Sequence, residues 1–69
     1  MNNYEVIVFW SKEDECFVAE IPELQGCMAH GVTDLEALQN VKEAKELWIE
    51  TAIELGRTIP EPKLRYAFA

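Results

Sequence analysis

The sequence predicts an α+β domain in the order β-β-β-α-β: a three-stranded antiparallel meander, one long helix on one face of it, and a C-terminal strand. Three observations carry this reading. Short runs dense in β-branched and aromatic residues precede position 32, an apolar stripe at helical spacing follows position 33, and a proline pair closes the helical stretch. At 69 residues the chain is one domain, residues 1–69. A domain this small buries only about 60% of the surface its unfolded chain exposes, so its own core leaves little surplus.

The first strand is read over Tyr4-Glu5-Val6-Ile7-Val8-Phe9-Trp10. Tyr4, Val6, Val8 and Trp10 fall on one face and Glu5, Ile7 and Phe9 on the other. Both faces are mostly apolar, which predicts a central strand covered on two sides. Ser11-Lys12-Glu13-Asp14-Glu15 is a polar break of hairpin length. Cys16 to Ile21 gives the second strand, with Phe17, Ala19 and Ile21 alternating against Cys16, Val18 and Glu20. Pro22 stops it, and Pro22-Glu23-Leu24-Gln25-Gly26 reads as a loop. Cys27-Met28-Ala29-His30 is a short third strand ended by Gly31. Loops this short join strands into an antiparallel meander.

Thr33-Asp34-Leu35-Glu36 fits a capping box, in which the Thr33 hydroxyl accepts from the Glu36 amide and the Glu36 carboxylate reaches back to the Thr33 amide. Asp34 and Glu36 also place negative charge at the positive end of the helix dipole. Leu38, Val41, Ala44, Trp48, Ala52 and Leu55 recur at steps of three and four as one apolar stripe; Glu36, Glu43, Glu50 and Glu54 lie opposite. Gly56 is suited to end the helix, since glycine takes the left-handed conformation without penalty. Pro60-Glu61-Pro62 prevents any continuation. Beyond it Leu64, Tyr66 and Phe68 alternate with Lys63, Arg65 and Ala67, the pattern of a terminal strand.

Charge and composition narrow the function. Thirteen acids against six bases give a formal charge of −7. That balance argues against nucleic acid as a direct partner, because duplex affinity rests on Lys and Arg neutralising phosphates. Anionic membrane surfaces are disfavoured for the same reason, and a basic protein is the favoured company. The apolar stretch Val6–Trp10 is far short of the roughly 18 residues a spanning helix needs, and no basic segment precedes it, so a cytoplasmic location is expected. Cys16 and Cys27 do not make a disulfide framework. With the second and third strands antiparallel about the Pro22–Gly26 loop, the two thiols lie at opposite ends, beyond disulfide reach. Both read as reduced, buried thiols.

No residue set supports catalysis or a cofactor. His30 is the single histidine. Three residues from Cys27 on a strand, it points to the opposite face, which argues against a metal pair. No base stands oriented beside a Ser, Cys or Thr nucleophile, and the interior of the first strand, Val6-Ile7-Val8-Phe9, offers no carboxylate for two-metal hydrolysis. Trp48 reads as core and Trp10, at a strand end, as partly exposed.

Several stretches resemble the HicB family of antitoxins. They are Tyr4 through Ser11, Glu13-Asp14, Phe17 through Leu24, Gly26 through Thr33, and, in the helix, Glu36-Ala37-Leu38, Asn40-Val41, Glu43-Ala44 and Leu47 through Ala52, with the exit Ile59-Pro60-Glu61-Pro62. The run Pro-Glu-Leu-x-Gly-Cys ahead of a capped helix is the most specific part. The resemblance implies a partial ribonuclease-H-like fold without nuclease activity. It also implies that the protein binds and neutralises a small basic, mRNA-cleaving HicA-type toxin. Many family members carry a C-terminal DNA-binding segment. These 69 residues leave no length for a helix-turn-helix or ribbon-helix-helix, so a solitary HicB-like domain is expected.

Charge and exposure nominate Glu13, Asp14 and Glu15 in the first turn and Glu23 in the second as partner contacts. Ile7 and Phe9, on the sheet face the helix does not cover, nominate a homo-oligomer interface, a dimer in the simplest case. The alternative function is a solitary oligomeric scaffold or protein-binding module with another partner.

Overall fold

The computed structural model describes residues 4–62. They form three strands, β1 (Ile7–Ser11), β2 (Cys16–Glu20) and β3 (Met28–Gly31), followed by one helix, α1 (Asp34–Glu54). The meander-plus-helix expected from the sequence is the observed fold. The expected terminal strand, carrying Leu64, Tyr66 and Phe68, lies outside the described residues.

Both strand pairs are antiparallel, in the order β1-β2-β3. Val8 stands opposite Ala19 and Ala19 opposite Ala29; Phe9 stands opposite Val18 and Val18 opposite His30. Residues directly opposite share a sheet face. One face therefore carries Val8, Trp10, Phe17, Ala19 and Ala29 and packs beneath α1. The other carries Ile7, Phe9, Cys16, Val18, Glu20, Met28 and His30, and no described element lies over it.

The core sits between α1 and the β2–β3 half of the sheet. Ala19, Ile21, Leu24, Cys27, Ala37 and Val41 are buried together with Tyr4, and Phe17, Ala29, Leu38, Trp48 and Ile49 pack around them. Among the described strands β2 lies between β1 and β3, and β1 is not covered on two sides as the sequence reading expected. Its four residues from Ile7 to Trp10 are 37–52% exposed. The cause lies at Gly31. This buried glycine brings the end of β3 against the first turn of α1, where a Cβ would stand 2.3 Å from the Ala37 nitrogen. The helix start is thereby seated over β3, away from β1.

The length mismatch between helix and sheet explains a second correction. Five strand residues span about 17 Å, whereas the 21 residues of α1 span about 31 Å. The last turn overhangs the sheet, so Leu55, expected at the end of the apolar stripe, is 61% exposed. The helix nonetheless stops where expected. Gly56 has a φ of 69°, its amide donates to the Ile53 carbonyl at 3.1 Å, and the Arg57 amide donates to Ala52 at 2.8 Å, the bond pair of a Schellman motif.

At the other end the Glu36 amide donates to the Thr33 hydroxyl at 3.1 Å, as the capping box requires. The carboxylate of Glu36, however, accepts from the Val32 amide at 2.6 Å rather than from Thr33. The box closes one residue earlier because the chain leaves β3 directly into the cap, presenting Val32 as the nearest free donor.

The Pro22–Gly26 loop is two linked turns. The Leu24 amide donates to the Ile21 carbonyl at 3.0 Å, and the Cys27 amide donates to the Leu24 carbonyl at 2.9 Å. Pro22 fills the second position of the first turn, and Gly26, at a φ of 81°, takes the left-handed third position of the second. Between them Leu24 is driven into the core, with no exposed surface. The distinctive Pro-Glu-Leu-x-Gly-Cys run is thus largely a folding device: Pro22 and Gly26 set the turns, and Leu24 and Cys27 fill the core. The Trp48 indole donates to the Gln25 carbonyl at 2.9 Å and latches this loop to α1.

Candidate protein-binding surface

The first turn, residues 12–15, joins β1 to β2 and carries three consecutive exposed acids, Glu13, Asp14 and Glu15. Ser11 organises it. Its hydroxyl donates to the Asp14 carboxylate at 3.1 Å and accepts from the Asp14 amide at 3.3 Å. Glu15 completes the turn at a φ of 52°, a left-handed conformation that costs a non-glycine residue energy. Asp14 also lies 3.8 Å from the His30 ring, both side chains being more than half exposed. Glu13 and Glu15 extend the acidic tip into solvent.

Glu23 does not join this group. It is half-buried in the second turn, at the opposite end of β2. Its charge acts on Tyr4, whose phenol is pushed above its usual 10.0 by burial first, then by Glu23 and Glu61. The Tyr4 hydroxyl donates to the Pro60 carbonyl, tying the segment after α1 to the segment before β1. The acids nominated from the sequence therefore fall at two ends of the sheet.

The apolar candidates lie between these ends. Ile7 and Phe9 are 41% and 42% exposed on the uncovered face. On the helix side of β1, Trp10 is 52% exposed and meets Phe17 edge-to-face at 5.1 Å. Beside it Val8, Phe17, Leu35, Leu38 and Asp34 line an open groove of about 280 Å³. Sequence periodicity gave no sign of this groove, because it arises from the sideways placement of α1.

Of the two thiols expected to be buried only Cys27 is; Cys16 is half-buried, because it begins β2 on the sheet face that no described element covers. Cys27 is buried under α1 and its thiol is pushed up by that burial, against a smaller lowering from Lys45. His30 is exposed on the far face, and Cys16 starts β2 at the acidic end. Both cysteines are free. Among the described residues no three His, Cys, Asp or Glu side chains gather as a metal site requires, and no helix is long and apolar enough to cross a membrane.

The family described as HicB_like antitoxin of bacterial toxin-antitoxin system matches residues 4–66. The chain belongs to the HicB-like antitoxin family. It is 41% identical over 58 residues to a UPF0150 protein of Synechocystis sp., covering 84% of this chain and 78% of that one. A UPF0150 protein of Thermoplasma acidophilum is 37% identical over 54 residues, 78% of each chain. Another from Synechocystis is 40% identical over 62 residues, covering 88% of this chain and 78% of that one. No solved structure matches significantly, so the expected likeness to ribonuclease H rests on the family resemblance alone.

Proposed function

We propose that this HicB-like protein binds and neutralises a small basic, mRNA-cleaving HicA-type toxin in the cytoplasm, by covering the toxin's active site rather than by any reaction of its own. The observation that carries the proposal is the antitoxin family match over residues 4–66, nearly the whole chain. The charge of −7 supports it, since opposite net charge speeds the encounter with a basic partner.

The acidic tip supplies the first contacts in this reading. Glu13, Asp14 and Glu15 stand beside the exposed indole of Trp10, an acidic rim next to an aromatic anchor, a common make-up for a binding surface. Glu23 contributes only if the toxin spans the length of β2, about 17 Å.

The test is co-purification of the chain with whatever small basic protein it captures in its host, followed by titration of the pure pair. A one-to-one or two-to-two complex that weakens with added salt supports the proposal. No complex at micromolar concentration defeats it and leaves the scaffold reading in its place.

A further inference from the structure

We propose that the groove between β1 and the start of α1 receives one large apolar side chain of the partner, flanked on both sides by arginine or lysine. The inference rests on the proposed function and names the chemistry of the contact. Val8, Phe17, Leu35 and Leu38 line the groove, and among the described residues Asp34 is the one charged group in its wall. Val8 on β1 is 37% exposed and Leu35 on α1 is 66% exposed. The groove holds about 280 Å³, just under the roughly 300–1,000 Å³ of small-molecule pockets. It suits a single inserted side chain whose backbone passes outside, the anchor-in-pocket arrangement of protein interfaces.

The surroundings select the flanking residues. Phe17 stands opposite Trp10 on β1 and opposite Gly31 on β3, so the groove lies at the same end of the sheet as the first turn. Glu13, Asp14 and Glu15 in that turn, and Asp34 and Glu36 at the start of α1, are all exposed. Against these five acids Lys12 is the only Lys or Arg before Lys42. This end of the molecule therefore attracts cations on both sides of the groove. One Asp34 oxygen accepts from the Leu35 amide at 2.7 Å, and the second is left for a partner's cation. Trp10 is 52% exposed beyond its edge-to-face contact with Phe17, which leaves indole surface for a stacked guanidinium. Arginine stacks there better than lysine, because its planar, weakly hydrated group loses less water. The occupant is thus a basic-apolar-basic segment, with arginine on the Trp10 side.

Titration of the protein alone with synthetic peptides tests the proposal, read by the NMR signals of the groove methyls and the Trp10 indole. The probe is a blocked pentapeptide with one leucine between two arginines and a glycine at each end. It should bind at about 1 mM or tighter, with shifts centred on Val8, Leu35, Leu38 and Trp10. Alanine in place of its leucine should weaken binding at least about fivefold, and added salt should weaken it as well. Lysine in place of arginine should weaken binding about two- to fivefold in wild type but not in Trp10→Leu, where the stacking surface is gone. Leu35→Gln should abolish the groove shifts, whereas Leu47→Gln, at a position 65% exposed on α1, should leave them unchanged. Circular dichroism on each variant verifies the fold. No groove shift up to about 10 mM peptide overturns the proposal, as does equal binding of a peptide with glutamates in place of the arginines. Groove signals that move with protein concentration alone would assign the groove to a second copy. Peptide binding that tightens severalfold in Leu64→Gln would assign it to the chain's own residues 63–69. Either result overturns the proposal. The titration contains no toxin, so its failure leaves the proposed neutralisation standing, and failure of the toxin complex leaves the peptide result as it is.

Discussion

Gly31 and Ala37 are in backbone contact: a Cβ built on Gly31 would lie 2.3 Å from the Ala37 nitrogen and 2.9 Å from its Cα. The contact closes the corner where β3 turns into α1. With Val32 and Thr33 as the only residues between strand and helix, the corner has no slack to move away. A methyl group there must displace helix backbone, not a flexible side chain. Gly31→Ala should therefore cost at least about 3 kcal/mol, the upper end of overpacking effects. Urea denaturation of the variant measures it; a loss below about 1 kcal/mol would mean the helix is not seated on β3 this closely.

The cap beside this corner is a smaller and separable effect. Thr33→Ala removes the acceptor of the Glu36 amide and should cost about 0.5–2 kcal/mol. Glu36→Ala removes the carboxylate that accepts from Val32 and should cost a similar amount. Trp48→Ala should cost more, about 3 kcal/mol, since it strips aromatic packing and the latch to Gln25 together. Equal losses for Thr33→Ala and Trp48→Ala would contradict the packing described.

Much of this was legible from the sequence, and the reason is locality. The capping box, the glycine stop and the hairpin are set by residues within a few positions of one another. Leu24 was not legible as core, because it sits in a loop where no periodicity exists to betray a buried position. Its signal was the pairing of Pro22 with Gly26, two turn residues spaced to drive one side chain inward. The exposure of β1 and of Leu55 depends on where the helix lies across the sheet. That placement is a tertiary fact, set by the close approach at Gly31. The candidate site divides the same way: the acidic tip is one local turn and Glu23 belongs to the next, but the groove beside Leu35 needed the fold.

Tyr4 gives the protein an alkaline limit. Its phenol is held above 10.0 in the folded state by burial and by Glu23 and Glu61, whereas in the unfolded chain it titrates near 10. Below that pH both states keep the proton, and the stabilisation is fully present. As pH rises through the folded value it is lost, because the unfolded chain releases its proton first. Wild type should lose more stability than Tyr4→Phe between pH 9 and roughly 11, although the variant starts lower for want of the bond to Pro60. Parallel pH–stability curves would contradict the burial of this phenol.

Charge reversal at the acidic tip should act on encounter rather than on residence. Glu13 and Glu15 are exposed and sit at a rim, so Glu13→Lys with Glu15→Lys should slow association with a basic partner and flatten its salt dependence. The dissociation rate should change little. Stopped-flow association at several salt concentrations separates these outcomes; a change confined to dissociation would move the contact away from the first turn.

The central claim is neutralisation, and one measurement bears on it most directly. A small basic protein that co-purifies with this chain from its host is isolated, and its cleavage of a messenger RNA is timed with and without stoichiometric addition of the HicB-like chain. Cleavage should cease as the ratio reaches equivalence, and the HicB-like chain alone should leave the RNA intact. A stable complex that cleaves at the full rate of the free partner would contradict the account.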